Sequence, residues 1–319
     1  MKKIIVTGGA GFVASHLIEK LLYETNTPMI YIIDNLVRTG NLRNLQHLLD
    51  DPRTSSRIKF IHSDLSTFDF ESIIDPFQIE YVFHLASPRI NRINEFNLEG
   101  HLSVADAGFK LINWISKYTN IKLFFASTAS VYESPKRFPM QETDRCNPYT
   151  IYGAGKFYTE NIIRSYSKLY GLDFTINRFF SVYGVRMDND GVYTEVVFNW
   201  LNQIKKGNTN IAVHGNPDEK IIDLVYVSDV VDAIILSTFN SNNTTFNVSS
   251  ESGTTLRELL NIMEKVTNTK LNVSSIPDPR TDVEAKRVGS VDRLKSIGWE
   301  PKVNVEEGIT KTWEWIHGN

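Results

Sequence analysis

A glycine-rich stretch, Thr7-Gly8-Gly9-Ala10-Gly11-Phe12-Val13-Ala14-Ser15, sits between an apolar run, Ile4-Ile5-Val6, and a helical pattern that begins near His16. A strand, a glycine turn and a helix in that order predict a phosphate-binding turn. Gly8 and Gly11 can take positive φ and carry no Cβ, so the backbone can press against a pyrophosphate. The N–H groups that open the following helix, around Phe12 and Val13, then face its charge. A second apolar run, Met29 to Ile33, ends in Asp34-Asn35 about twenty residues on, where an acid binds a pair of ribose hydroxyls. The same acid repels a 2′-phosphate, so the expected cofactor is NAD rather than NADP. A βα turn without a ligand explains the glycines alone but not Asp34.

A chain of 319 residues is long for one simple domain and suggests a large fold with a smaller companion lobe. Its net charge of −3 and lack of a long basic run argue against a general nucleic-acid or membrane surface, leaving a small-molecule partner. The single cysteine, Cys146, allows neither an internal disulfide nor a cysteine-based zinc cluster, as expected for the cytoplasm. The apolar run after Met1-Lys2-Lys3 stops at Thr7-Gly8, too soon for a secretory h-region, and is read as the first strand. No stretch approaches the roughly twenty apolar residues of a membrane helix.

Short apolar runs at Lys3–Val6, Met29–Ile33, Lys59–His62, Tyr81–Leu85, Lys122–Ala126 and Phe174–Phe179 alternate with helical stretches at Val13–Tyr23, Leu102–Lys117 and Ile151–Tyr170. That alternation predicts an α/β fold, a Rossmann-type doubly wound parallel sheet with a smaller α/β substrate-binding lobe. Beyond residue 180 the pattern loosens, with turn-rich segments at Asp188–Gly191, His214–Asp218, Asn240–Thr245 and Pro277–Thr281. Leu224–Thr238 and Phe246–Ser249 read as a helix and strand returning to the first sheet. The cofactor domain is therefore expected at 1–180 plus about 224–250, and the substrate lobe at about 181–223 and 251–319.

Tyr152-Gly153-Ala154-Gly155-Lys156 puts a phenol and an ammonium on one face of a helix, about a turn apart. A free phenol has a pKa near 10, so a base working near neutrality needs a drop of roughly three units, about 4 kcal/mol of preference for the phenolate. A neighbouring ammonium supplies much of it. Two glycines inside a helix cost about 1 kcal/mol each relative to alanine, which points to close approach of another group at both. A solvated Lys beside a half-buried Tyr is the bland alternative, since the spacing is common by chance.

The turn, the segment Ala126-Ser127-Thr128-Ala129-Ser130-Val131-Tyr132 and the Tyr152/Lys156 pair fall in the order of one family. The chain resembles an extended short-chain dehydrogenase/reductase of the nucleotide-sugar epimerase and dehydratase kind, over nearly its whole length. His62-Ser63-Asp64-Leu65 resembles the family's adenine-contacting strand end, and His84-Leu85-Ala86-Ser87 its segment beside the cofactor. Arg178-Phe179-Phe180-Ser181-Val182-Tyr183-Gly184, Val225-Tyr226-Val227-Ser228-Asp229 and Leu294-Lys295-Ser296-Ile297-Gly298-Trp299-Glu300-Pro301 resemble later landmarks. The resemblance implies that Thr128 hydrogen-bonds the reacting hydroxyl and Tyr152 removes its proton. Lys156 then holds the nicotinamide ribose and lowers the tyrosine pKa, with Ser87 near the substrate, while hydride passes from the sugar carbon to NAD. It also implies a homodimer or dimer of dimers. The helices Leu102–Lys117 and Ile151–Tyr170 would pack on their copies through Phe109, Ile112, Trp114, Phe157, Ile162 and Ile163.

Departures from the family pattern narrow the reaction. The third glycine of the turn is Ala14, a methyl that the family tolerates. Dehydratases of the family carry Asp-Glu directly after the catalytic Thr or Ser; here Ala129-Ser130 stand there, so loss of water at C6 is not expected. Two positions that touch the pyrophosphate in UDP-sugar epimerases, an Asn and an Arg, are Ser181 and Ile222, which leans the reading toward a GDP-linked or other non-UDP sugar. Lys220, Arg186 and Arg280 are the candidate phosphate-binding charges. The expected activity is oxidation at C4 of a nucleotide sugar, as a 4-dehydrogenase or 4-epimerase. A 4-keto-sugar reductase or a dinucleotide-sensing regulator without turnover are the alternatives, and such regulators usually lack the Tyr-Lys pair. His62 with Asp64, or His84 with His101, lacks a third ligand at useful spacing for a metal, and no Gly-x-Ser-x-Gly elbow marks a hydrolase.

Overall fold

The computed structural model describes residues 3–24, 29–37, 42–73, 75–87, 98–118, 120–132, 137–187, 196–278 and 286–318. Its strands are β1 Lys3–Thr7, β2 Ile30–Asp34, β3 Ile58–His62, β4 Ile79–His84, β5 Lys122–Thr128, β6 Asp173–Phe179, β7 Ser181–Tyr183, β8 Asn210–His214, β9 Ile221–Tyr226, β10 Thr244–Val248, β11 Gly253–Thr255 and β12 Asn272–Ile276. Seven of them form one sheet in the order β10-β6-β5-β4-β1-β2-β3. The pairs β1–β2, β2–β3, β1–β4 and β4–β5 run parallel. Strand order reverses between β1 and β4, and an open α/β sheet binds its ligand at the carboxyl ends of such a pair.

Central strands of a parallel sheet are covered on both faces, and β1 and β2 accordingly read as continuous buried runs rather than alternating ones. Ile5, Ile33, Phe125 and Ile176 of the sheet join Leu111, Ile112, Trp114, Ile115 and Ile163 of two helices in one core, with Phe70 stacked on Trp114 at 4.9 Å. Each buried Ile or Leu is worth about 1.5–3 kcal/mol. Helix Phe12–Glu24 follows the glycine turn directly, and helix Leu98–Ile115 packs beside helix Ile151–Tyr170. The last starts where Thr150 Oγ1 accepts the Gly153 N–H and stops at Gly171, whose φ of +73° only glycine adopts freely.

The chain divides into two compact units. The first comprises Met1–Glu133, Arg145–Arg178 and Val231–Phe246; the second comprises Ser134–Asp144, Phe179–Val230 and Asn247–Asn319. These limits differ from those read off the sequence most at 134–144 and 224–230, and by a few residues at 179–180 and 247–250. Residues 224–226 end β9 instead of opening a helix, and β9 pairs with β7 and β11 in a three-stranded sheet of the second unit. The helix begins at Val227. Residues 134–144 leave the first unit because the Met140 N–H donates to the Val288 carbonyl and its own carbonyl accepts from Ser290. A further parallel pair, β8–β12, belongs to the second unit.

Of the apolar residues expected on the helix surfaces, Ile112, Trp114 and Ile163 are core residues, Phe157 and Ile162 are half-buried and Phe109 is exposed; Tyr158, Leu169 and Tyr170 are exposed as well. Among the described residues no helix is long and apolar enough to cross a membrane.

Candidate active site

The carboxyl ends of β1 to β4 frame a cleft of about 780 Å³, its open mouth included. Nine residues singled out in the sequence line it: Gly8, Gly11, Asp34, Asn35, Asp64, Leu65, Leu85, Ala86 and Ser87. Ile33, Ser63, His84 and Ala107 complete the wall. Phe12 and Val13 begin the helix beyond the turn.

Gly8 takes φ +69°, and a Cβ there would lie 2.7 Å from the backbone N and Cα of Ala86. Both rule out a side chain. Gly11 is not in the left-handed region; its N–H donates to the Gly8 carbonyl at 3.0 Å, so it closes the turn with ordinary backbone. The Asp34 carboxylate accepts from Ala10 N at 3.0 Å through Oδ2 and from Leu36 N at 2.8 Å through Oδ1. Each oxygen keeps a lone pair for a ribose hydroxyl. Asp64 accepts from Ser66 N, Ser66 Oγ and Asn35 Nδ2, and these bonds hold its carboxyl below the usual carboxylate range. A glycine cradle that a Cβ would fill, with an acid at the end of the second strand, fits the adenosine and pyrophosphate of NAD.

Beside the cleft, His84 Nδ1 lies 2.7 Å from Thr7 Oγ1, and its ring stacks on Phe125. Complete burial, and secondarily the charge of Lys156, push this imidazole down to about 3, so it stays neutral. Lys156 is also buried and donates from Nζ to the Ala126 carbonyl at 2.8 Å. Burial pushes its ammonium down to about 7 against the opposing charge of Glu160. Nζ lies 4.9 Å from the Phe125 ring centre and 5.9 Å from that of Tyr152, which places the phenol and the ammonium on one helix face. Thr128 ends β5, buried, with Oγ1 accepting the Ser130 N–H at 3.2 Å and its own proton free to donate.

The two helical glycines part company. A Cβ at Gly153 would lie 2.2 Å from the Ser130 carbonyl oxygen, so close approach explains it. At Gly155 nothing lies within 4 Å, and the expectation of close approach fails there. Ala129 is buried, and neither it nor Ser130 offers a carboxyl.

In the second unit, Ser181 and Ile222 are half-buried on β7 and β9. Arg186 has φ +64°. The charge of Lys220 is met by Asp278. Arg280 lies outside the described residues. Sequence reasoning passed over Thr7 as the partner of His84 and missed the buried Glu160, which bonds Ser127 and Arg178. Lys156 and Glu160 are four apart on one helix, and that spacing was the available signal.

The family model of GDP-mannose 4,6-dehydratase matches residues 5–312. A putative UDP-glucose 4-epimerase of Methanocaldococcus jannaschii is 30% identical over 321 residues, covering 99% of each chain. The UDP-glucose 4-epimerase of Thermotoga maritima, solved with UDP-glucose, superposes with a TM-score of 0.89 at 30% identity, covering 99% of each chain. That of Thermus thermophilus, solved with NAD, gives 0.84 at 29% identity, again covering 99% of each. The turn, the acid that ends β2 and the Tyr-Lys helix therefore stand in a chain that belongs to the GDP-mannose 4,6-dehydratase family, among the extended short-chain dehydrogenases/reductases that act with NAD on nucleotide sugars.

Proposed function

We propose that this protein is an NAD-dependent 4-epimerase of a nucleotide-diphospho-sugar, working through a 4-keto intermediate. The observation that carries this reading is Lys156, buried and fixed on the Ala126 carbonyl with Tyr152 on the same face, next to a Thr128 followed by no carboxylate. Thr128 donates to the C4 hydroxyl oxygen, and Tyr152 removes its proton. The Lys156 ammonium stabilises the phenolate and holds the nicotinamide ribose, while Gly8, Gly11 and the first turn at Phe12 and Val13 hold the pyrophosphate. Asp34 takes the adenosine ribose, with Asn35, Asp64, Leu65, Leu85, Ala86 and Ser87 around it. NAD supplies the acceptor for the C4 hydride and its return to the other face.

Elimination of water from the ketone needs a base at C5 and an acid at the C6 hydroxyl, two groups of separated proton affinity. Ala129 is neither, and the Ser130 hydroxyl is a poor acid. The similar proteins named for UDP-glucose favour a UDP-linked substrate over the GDP-linked one that Ser181 and Ile222 suggest. We further propose a cytoplasmic homodimer or dimer of dimers.

Incubation with UDP-glucose and with GDP-mannose, followed by NMR and mass spectrometry, tests the reading. A C4 epimer formed from one of them, with carbons 4 and 5 unlabelled in deuterated water, is the expected result. A 4-keto-6-deoxy product lighter by one water overturns it, and ketone accumulating with NADH means a dehydrogenase. Tyr152→Phe is expected to abolish turnover while keeping NAD affinity, whereas Lys156→Ala loses both.

A further inference from the structure

The buried carboxylate of Glu160 lies one turn beyond Lys156, fully enclosed and at the centre of a polar network. Oε1 accepts from Ser127 Oγ at 2.5 Å and Arg178 Nε at 3.0 Å; Oε2 accepts from Arg178 Nη2 and Arg164 Nη2, each at 2.7 Å. Arg178 in turn lies over the Tyr132 ring at 4.7 Å. Stability alone is a poor reason for such a site, because a buried ion pair is often replaced by apolar residues without loss.

Its placement offers a better reason. Lys156 holds the carbonyl of Ala126, and Glu160 holds the side chain of Ser127, the two residues directly ahead of Thr128. Gly153 rests on Ser130, just beyond Thr128. Positions 153, 156 and 160 share one helix face, so three points of that face grip the strand end on both sides of Thr128. A slide of one residue along the helix axis, about 1.5 Å, breaks all three.

We propose that Glu160 is a positioning residue. Through Ser127 and Arg178 it fixes the register between β5 and the helix carrying Tyr152 and Lys156, and it faces Lys156 with a compensating negative charge. The charged and titratable groups facing Lys156 among the described residues are His84 on β4, kept neutral by burial, and Tyr152 and Glu160 on its own helix. Glu160 itself faces Arg178 on β6, Arg164 on its own helix and Ser127 on β5, with Tyr132 and Cys146 beside Arg178. Its charge opposes the downward push of burial on the Lys156 ammonium.

The inference rests on the Tyr152–Lys156 reading, and two variants of the full chain test it. Ser127→Ala leaves the ion pairs whole and removes only the link to the strand. With UDP-glucose, kcat is expected to fall about tenfold at unchanged KM and unchanged calorimetric NAD affinity, because misplacement of reacting groups acts on the chemical step. Glu160→Gln removes the compensating charge and leaves two guanidinium groups unopposed. The alkaline limb of the kcat profile, set by loss of the Lys156 proton, is then expected to move down by about one pH unit. NMR titration of Lys156 in the cofactor-free protein should move the same way. Wild-type kcat in Ser127→Ala, or an unshifted limb and titration in Glu160→Gln, overturns the proposal; should Glu160→Gln fail to fold, Ser127→Ala decides. Full turnover by Tyr152→Phe would sink the underlying reading instead, whereas an inactive Tyr152→Phe beside an unaffected Ser127→Ala sinks only this inference.

Discussion

Alanine at Gly153 and alanine at Gly155 should have opposite consequences, although both replace a glycine in the first turns of one helix. At Gly153 the new Cβ would stand 2.2 Å from the Ser130 carbonyl oxygen and 3.0 Å from Pro148 Cβ. Restoring an ordinary contact requires a shift of about 1 Å, and the atom in the way is backbone, which cannot rotate aside. The helix must lift, carrying Tyr152 and Lys156 with it. A misplacement of about 1 Å between reacting groups costs on the order of 10² in rate, so kcat of Gly153→Ala should fall about a hundredfold. Overpacking adds about 1–3 kcal/mol of destabilisation, partly offset by about 1 kcal/mol of helix propensity. At Gly155 the Cβ meets nothing within 4 Å, so only the propensity gain remains, about 1 kcal/mol, a rise of about 2 °C in Tm. Thermal scans and steady-state turnover of the two variants side by side make the measurement. Wild-type kcat in Gly153→Ala, or a lowered Tm in Gly155→Ala, would show that the contact at Ser130 does not set the seat of this helix.

Asp34→Ala should weaken NAD binding and narrow its lead over NADP, read by calorimetry; equal affinity of the wild type for both cofactors contradicts the role given to the acid. His84 binds its proton far more weakly folded than unfolded, so the unfolded state holds more protons between about pH 3 and 6.5. Stability should therefore fall as pH drops through that window, and denaturant titrations of His84→Gln, whose amide can still meet Thr7, should show a flatter slope; an equal slope would mean that the imidazole is protonated in the fold. Light scattering at micromolar concentration should read a dimer or tetramer that Tyr158→Glu, at a side chain 49% exposed on the helix that carries Tyr152, splits to monomers; a wild-type monomer refutes the assembly.

The first unit was legible because a parallel sheet buried on both faces is written as uninterrupted apolar runs, and β1, β2, β3, β4, β5 and β6 begin or end within two residues of the runs read from the sequence. Helix Ile151–Tyr170 has the bounds expected of it, since Thr150 and Gly171 mark its ends chemically. The second unit was not legible in the same way. Its strands β7 and β11 have three residues each, too few to show a period, and β9 passes without a turn signal into the helix at Val227, so strand and helix merged into one apolar stretch. Within the site, local chemistry was readable and long-range pairing was not. The glycine turn and Asp34 announce themselves, but the bond from Thr7 to His84 spans 77 positions and the one from Ser127 to Glu160 spans 33. The open space at Gly155 shows the limit of composition as a guide: a glycine records permission for close approach, and a neighbour need not use it.

The two backbone bonds made by Asp34 bear on how this protein can change over evolutionary time. One carboxylate oxygen holds Ala10 inside the glycine turn and the other holds the backbone of Leu36, two residues on. The charge proposed to discriminate between cofactors is therefore also a strut of the glycine turn, and most single substitutions would change both properties together. A lineage turning toward a phosphorylated cofactor would first pass through a form with a slackened turn, unless an asparagine or serine at this position kept one of the bonds while giving up the charge. The accessible route is thus narrow, and the order in which compensating changes arrive matters as much as which ones they are.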